Sequence, residues 1–223
     1  MIKLCIFDLD GTLVNSLGDL ASAVNDGLAS RGFPVHPTEA YKTFVGDGVL
    51  KLLERALPSY AADDVHIEEM KKHFDEYYSG HYLDSTTAFD GMNEMLGRLN
   101  ADGRTLTVFT NKPHSFAVSI CDTLFPNCFA FVKGNTPELP RKPDPSVIKL
   151  MLERYGVKPS EAVMLGDSNV DIYAARAAGI HSIGCLWGFR TRQELADAGA
   201  ELIIGTPDEI MGAIQILDKG AML

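Results

Sequence analysis

The sequence predicts an α/β protein, an open parallel sheet flanked by helices, into which a small all-α domain is inserted. Two observations lead to this fold class. From Phe89 onward, short apolar runs alternate with helical patterns, as in successive βαβ units. Before that point, an apolar strand over residues 2–7 is followed by residues 16–84, which have an almost entirely helical pattern. Because the first strand finds parallel partners only after residue 89, the helical stretch is most simply an insertion.

The insertion is expected to leave and rejoin the sheet through two connections. One lies near Val14 to Ser16 and the other near Asp84 to Ala88. We therefore expect an α/β core domain made of residues 1–15 and 85–223, and a helical domain made of residues 16–84. A chain of 223 residues is long enough for this arrangement.

The elements follow from the spacing of apolar residues and from breaks at glycine and proline. In the insertion, helices are expected to begin near Ser16, Thr38, Val49 and Asp63. In the second part, strands are expected over residues 105–109, 162–165, 183–186 and 202–204, and helices over residues 91–100, 116–124, 146–155 and 172–178. A short apolar stretch, residues 128–132, precedes a polar loop over residues 133–145.

Composition excludes several classes of protein. The formal net charge of −10 argues against nucleic-acid binding through a broad basic face. No apolar run is long enough to span a membrane, and Asp8 and Asp10 interrupt the N-terminal run, so no signal peptide is expected. The four cysteines form no Cys-x-x-Cys pair, and we expect reduced thiols in a cytoplasmic protein.

Two carboxylates leave the first strand together. Asp8 and Asp10 are two residues apart, and Gly11 allows the turn that would bring their side chains to one place. An acid pair at the end of a buried strand suits magnesium-dependent phosphoryl transfer, because Mg²⁺ takes oxygen ligands. A plain Asp-Gly surface turn is the alternative interpretation.

Polar groups follow two further strands. Thr110 and Asn111 come after the second predicted strand, and Asp167 and Asp171 follow the next long apolar run. Singly, these could be a helix cap and a turn, and Lys142 could be a solvated loop charge. The carboxyl ends of parallel strands share one edge of a sheet, where ligands bind. Several coincidences at one edge favour a functional site.

Together these segments resemble the four ordered signatures of the haloacid dehalogenase superfamily. They are Asp8-Leu9-Asp10-Gly11-Thr12, Thr110-Asn111, Arg141-Lys142-Pro143-Asp144-Pro145 and Gly166-Asp167-Ser168-Asn169-Val170-Asp171. The resemblance covers the chain from end to end and implies a Rossmann-like core. The insertion after the first signature is similar to a helical cap domain, and residues 43–57 resemble the cap of phosphoglycolate phosphatases.

The resemblance implies a role for each residue in catalysis. Asp8 would be the nucleophile that forms an aspartyl phosphate, and Asp10 the general acid and then the general base. Thr110 and the backbone N–H of Asn111 would bind the transferring phosphoryl oxygens. Lys142 would offset negative charge on Asp8 and on the phosphoryl group.

The resemblance also implies a magnesium site. Asp8, the backbone carbonyl of Asp10, and Asp167 would hold Mg²⁺. Asp171 would either bind the ion through water or orient Lys142, and the sequence leaves both open.

The implied function is a phosphatase acting on a small phosphorylated metabolite, with 2-phosphoglycolate as the first compound to try. Alternatives in the superfamily are a sugar-phosphate phosphatase, a pyrophosphatase or a phosphomutase, although Leu20 occupies the position of the cap histidine of β-phosphoglucomutases. A catalytically silent magnesium-binding scaffold is the non-enzyme alternative. No nucleic-acid or membrane partner is expected, and the oligomeric state is open.

Gly46-Asp47-Gly48 is the candidate for substrate recognition in the helical domain, because two glycines allow close backbone approach before a helix. An interhelical turn is the alternative interpretation. The charge of Asp47 would repel a substrate carboxylate unless it points away or caps the helix.

Overall fold

A computed structural model describes residues 1–220, and the chain in it divides into two compact units. The core unit contains Met1–Val14 and the chain from Ala88 onward, and the insertion unit contains Asn15–Thr87. The insertion therefore starts one residue earlier and ends three residues later than the expected residues 16–84. Within residues 1–220, no helix is both long and apolar enough to cross a membrane.

The core unit is built on a six-stranded sheet. The strands of the chain are β1 (Leu4–Phe7), β2 (Val14–Asn15), β3 (Thr87–Ala88), β4 (Thr105–Pro113), β5 (Phe131–Asn135), β6 (Ala162–Gly166), β7 (His181–Cys185) and β8 (Leu202–Ile204). The order is β5-β4-β1-β6-β7-β8, and every pairing is parallel. The central strand β1 is completely buried, which fits its apolar sequence. Because β4 and β6 both pair in parallel with β1, the carboxyl ends of the three strands lie at the same edge of the sheet.

Helices flank this sheet, so the predicted fold class is confirmed. They are α5 (Met92–Ala101), α6 (His114–Leu124), α7 (Ser146–Tyr155), α8 (Asn169–Ala178), α9 (Arg192–Ala198) and α10 (Ile210–Gly220). One buried cluster joins β1 and β6 to α7 and α8 through Leu4, Ile6, Met164, Ile148 and Ala174. Burial of each leucine, isoleucine or methionine side chain stabilises the fold by about 1.5–3 kcal/mol.

The insertion unit is helical. It contains α1 (Leu17–Ser30), a 3₁₀ turn (Thr38–Ala40), α2 (Tyr41–Phe44), α3 (Val49–Ala56) and α4 (Asp64–His81). Helix α4 begins where Asp63 accepts a hydrogen bond from the His66 N–H at 3.0 Å. Its buried face carries Met70, Phe74 and Tyr78, which are four residues apart. A side chain at Gly27 of α1 would lie 3.0 Å from Met70, so that glycine allows the two helices to pack closely.

Asp19 joins the two ends of the insertion. This buried carboxylate accepts hydrogen bonds from the backbone and the hydroxyl group of Ser85 at 2.8 and 2.5 Å. It accepts the same pair of bonds from Thr86 at 2.9 and 2.6 Å. The first turn of α1 is thereby fixed to the segment that returns to the core.

Several element boundaries differ from those expected. Strand β4 continues to Pro113 instead of ending at residue 109, and its register with β5 shifts between Phe109 and Pro113. Strand β5 lies at Phe131–Asn135, partly inside the expected polar loop, because a half-exposed edge strand does not need an apolar sequence. Helices α9 and α10 were not expected at all.

Candidate active site

The turn after β1 brings the first two carboxylates to the sheet edge. The Asp8 N–H donates to the Leu165 carbonyl at 2.9 Å and so extends the pairing of β1 with β6. Gly11 then has φ +84°, and a Cβ there would lie 2.3 Å from a carboxylate oxygen of Asp167. Glycine is required at this position both for the left-handed backbone and for the close approach.

Three buried carboxylates and one buried ammonium group form the centre of the site. One oxygen from each of Asp8, Asp167 and Asp171 lies within 4.8 Å of the others. Lys142 Nζ lies 2.7 Å from Asp8 Oδ1 and 2.7 Å from Asp171 Oδ1, and its side chain is 1% exposed. The ammonium group is therefore held between two carboxylates, away from solvent.

Both carboxylate oxygens of Asp171 contact neighbouring residues. While Oδ1 contacts Lys142, Oδ2 accepts hydrogen bonds from the Ser168 N–H at 3.0 Å and the Ser168 hydroxyl at 2.7 Å. The Ser168 contacts form a capping box at the start of α8. Of the two roles left open for Asp171, orientation of Lys142 is the one with a direct contact in this geometry.

Asn111 fixes the loop that carries Lys142. Its side-chain Oδ1 accepts a hydrogen bond from the Lys142 N–H at 2.8 Å, and its Nδ2 donates to the Lys142 carbonyl at 3.2 Å. The Asn111 side chain thus satisfies both the backbone N–H and the backbone carbonyl of Lys142, as a neighbouring strand would. Thr110, just before Asn111 on β4, is also buried at this end of the strand.

Burial and mutual repulsion perturb the acids. Burial, reinforced by the charges of Asp171 and Asp10, raises the pKa of Asp8 to about 7 despite the opposing charge of Lys142. Burial and the charges of Asp171 and Asp8 raise the pKa of Asp167 well above its usual value. Burial lowers the pKa of Lys142, but Asp171 and Asp8 outweigh it, so the pKa is raised and the lysine stays charged.

The loop after β7 completes the surroundings of Asp167, and the sequence interpretation missed it. The Phe189 N–H donates to Asp167 Oδ2 at 2.7 Å, and Trp187 Nε1 donates to the Thr12 carbonyl at 2.9 Å. Between them, a Cβ on Gly188 would lie 2.2 Å from the Asp167 Cβ. A signal was present, since Trp187-Gly188-Phe189 directly follows the strand predicted over residues 183–186.

Lys112 is a second residue that the sequence interpretation missed. Its Nζ lies 3.0 Å from Asp10 Oδ1 and 3.3 Å from Asp10 Oδ2. The expected end of the strand at residue 109 placed Lys112 in a following loop, where a lysine usually points into solvent.

The proposed recognition loop lies in the insertion unit, between α2 and α3. Gly46 and Gly48 have φ of +122° and +86°. The Asp47 carboxylate lies 2.5 Å from Arg55 Nη2, and Gly48 is the residue at the helix N-cap. The Arg55 guanidinium group therefore offsets the charge of Asp47.

Comparison with known proteins agrees with this architecture. The family model of haloacid dehalogenase-like hydrolases matches residues 5–185. A phosphoglycolate phosphatase from Salmonella choleraesuis is 33% identical to this chain, across 93% of this chain and 90% of its own. One from Pseudomonas fluorescens is 31% identical, across 91% of this chain and 76% of its own.

Solved structures show the same fold. A protein from Lactobacillus delbrueckii, provisionally assigned as a phosphoglycolate phosphatase, superimposes with a TM-score of 0.90 at 29% identity. That match covers 95% of this chain and 98% of the other. The predicted resemblance to this superfamily and the predicted hydrolase class are confirmed. The chain belongs to the haloacid dehalogenase-like hydrolase family.

Proposed function

We propose that the protein is a magnesium-dependent phosphatase that hydrolyses a small phosphate monoester through an aspartyl-phosphate intermediate on Asp8. The observation that carries the proposal is Lys142, buried and 2.7 Å from both Asp8 and Asp171. An ammonium group in this place offsets the charge that builds up when an anionic nucleophile meets an anionic phosphoryl group. If the cluster served only to stabilise the fold, well-packed apolar side chains in its place would give equal or greater stability.

The reaction has two steps. In the first, an Asp8 carboxylate oxygen attacks phosphorus, the bond from phosphorus to the ester oxygen breaks, and Asp10 gives that oxygen a proton. In the second, water attacks the phosphorus and loses a proton to Asp10, and the bond from phosphorus to Asp8 breaks. Inorganic phosphate leaves, and both acids return to their starting states. Thr110 and the Asn111 N–H are the proposed donors to the phosphoryl oxygens.

Magnesium fits the chemistry of the acidic cluster. When all three are ionised, the buried carboxylates carry more negative charge than Lys142 offsets, and Mg²⁺ prefers oxygen ligands. We propose that Asp8, the Asp10 carbonyl and Asp167 hold the ion, and that Asp171 contributes by orienting Lys142 or through a water. The bound ion would neutralise negative charge on the phosphoryl group.

The substrate we propose first is 2-phosphoglycolate, a small phosphorylated metabolite. Curated relatives that match over nine-tenths of this chain carry that activity in their names. The four cysteines are free, which supports a reducing, cytoplasmic location.

The catalytic test compares wild type with Asp8→Asn and Asp10→Asn in a phosphate-release assay on a panel of small phosphate monoesters. Asp8→Asn should abolish turnover, because an amide cannot act as the nucleophile, and Asp10→Asn should be severely impaired. Excess chelator should stop the wild-type reaction, and Mg²⁺ should restore it. Normal turnover in Asp8→Asn would refute the covalent intermediate. Full activity in excess chelator would refute the proposed requirement for Mg²⁺.

The recognition test changes Gly46 and Gly48 to alanine. We propose that this loop helps to bind the substrate carboxylate, so KM for 2-phosphoglycolate should rise while hydrolysis of p-nitrophenyl phosphate changes much less. Thermal unfolding of the variant checks the fold, because both glycines have positive φ. An equal fall in both activities would assign the loop to stability, and no preference for 2-phosphoglycolate would refute the proposed substrate.

A further inference from the structure

Lys112 is a buried lysine that the mechanism above does not use. Its side chain is 2% exposed, and Nζ lies 3.0 and 3.3 Å from the two carboxylate oxygens of Asp10. Lysine is seldom buried this completely without a specific partner, because removal of its charge from water is unfavourable. The partner is the residue proposed to move the proton in both chemical steps.

We propose that Lys112 is a positioning residue that holds the Asp10 carboxyl group in the orientation needed for proton transfer to the leaving oxygen. This inference rests on the proposed phosphatase function. The contact with both oxygens restricts rotation of the carboxyl group about its last bond, which a single hydrogen bond would not do. Displacement of a catalytic group by about 1 Å can reduce a rate by about 10²-fold.

The backbone of β4 explains how Lys112 reaches Asp10. In a regular strand, neighbouring side chains point to opposite faces, so Thr110, Asn111 and Lys112 could not all serve one site. The register of β4 with β5 shifts between Phe109 and Pro113, and this irregularity spans those three residues. Such bulges re-aim side chains near active sites. Here Asn111 bonds to the Lys142 loop, while Lys112 contacts Asp10.

The position of Lys112 is fixed by backbone that the site already orders. Its N–H donates to the Thr110 hydroxyl at 3.3 Å, and the next residue, Pro113, is paired with Asn135 of β5 after the register shift. The ammonium group therefore extends from an anchored strand end and not from a loose loop. An anchored cation can impose an orientation on its partner.

The test uses two substrates that differ in their need for a proton. Departure of the alkyl oxygen of 2-phosphoglycolate requires protonation, whereas p-nitrophenolate departs with little help. Lys112→Met should lower kcat/KM for 2-phosphoglycolate by about 10–100-fold and for p-nitrophenyl phosphate by less than about 3-fold. Lys112→Gln, which keeps a polar end, is a second variant in case methionine prevents folding.

A double-mutant cycle shows whether Lys112 acts through Asp10. In an Asp10→Asn background, Lys112→Met should change kcat/KM by less than about 2-fold, because the group that it positions is already lost. Lys133→Met is the matched control: that lysine lies on the neighbouring strand β5 and bonds to Thr136, and its loss should leave both activities unchanged.

Three outcomes would overturn the inference. They are an equal loss on both substrates, a rise in KM with unchanged kcat, and losses that multiply in the double variant. A wild type that hydrolyses no monoester would instead refute the proposed function, so the two failures are distinguishable.

Discussion

Removal of the Asp8 charge should stabilise the metal-free protein while it abolishes turnover. The pKa of Asp8 is raised from 3.8 to about 7 in the folded protein, with burial as the largest cause. An acid whose pKa is higher in the folded than in the unfolded state makes its full contribution to stability at pH values below its unfolded pKa. That contribution is lost as the pH rises from about 4 to about 7. At pH 8 the buried carboxylate is charged, and the fold is destabilised.

The size of the effect follows from the shift. A shift of about three pH units corresponds to about 4 kcal/mol at about 1.4 kcal/mol per unit, which is an upper limit. The shift already includes the attraction of Lys142, and relaxation of the site and penetration of water make the real penalty smaller than this limit. We expect a gain of about 2 kcal/mol, or about 4–8 °C in Tm for a protein of this size.

The assay is thermal unfolding with chelator at pH 5 and at pH 8. Asp8→Asn should unfold at a higher temperature than wild type at pH 8, and the difference should shrink at pH 5, where wild-type Asp8 is protonated. Asp122→Asn, on an exposed position of α6, is the control and should show no such pH dependence. The reasoning is refuted if Asp8→Asn gains nothing at pH 8, or if its gain is as large at pH 5.

Three further predictions concern the loop after β7, the cysteines and the insertion. Gly188→Ala should lower turnover by about 10²-fold or more, measured by phosphate release, because the added Cβ would lie 2.2 Å from the Asp167 Cβ; activity near wild type would show that this loop yields easily. Thiol titration of the native protein should modify the half-exposed Cys128 first, because burial raises the pKa of Cys5 to about 12; early reaction of Cys5 would contradict this. Asp19→Ala should lower the free energy of unfolding by about 2–4 kcal/mol in a denaturant titration, since it leaves four donors without their acceptor; a loss below about 0.5 kcal/mol would show that water replaces the carboxylate.

The sheet edge was predictable because its residues obey local rules. Asp8, Asn111 and Asp167 each follow an apolar run, and parallel strands end at one edge, so their proximity follows from the fold class alone. Lys142 lies in a polar loop without such a rule, and only the family resemblance pointed to it. The contacts between Lys142, Asp8 and Asp171 depend on three distant segments, which spacing within one segment cannot give.

The residues that the sequence did not reveal depend on irregular backbone. Lys112 reaches Asp10 because the register shifts within β4, and a periodic pattern assumes that no such shift exists. Gly188 and Phe189 contact Asp167 through a loop whose conformation is set by the groups around it. Strand β5 was displaced in the prediction because its polar residues pair at a sheet edge, where burial does not constrain sequence.

The contacts of Asp19 reduce the entropic cost that the insertion adds to folding of the core. A long flexible segment between β1 and the rest of the sheet would add loop-closure entropy that grows with its length. Because Asp19 bonds to Ser85 and Thr86, the insertion closes on itself near its two ends. Once it has folded, the core is joined by a short closed loop in place of a long one. The length and sequence of such a segment can therefore change between its closed ends without adding to the loop-closure entropy that the sheet must overcome.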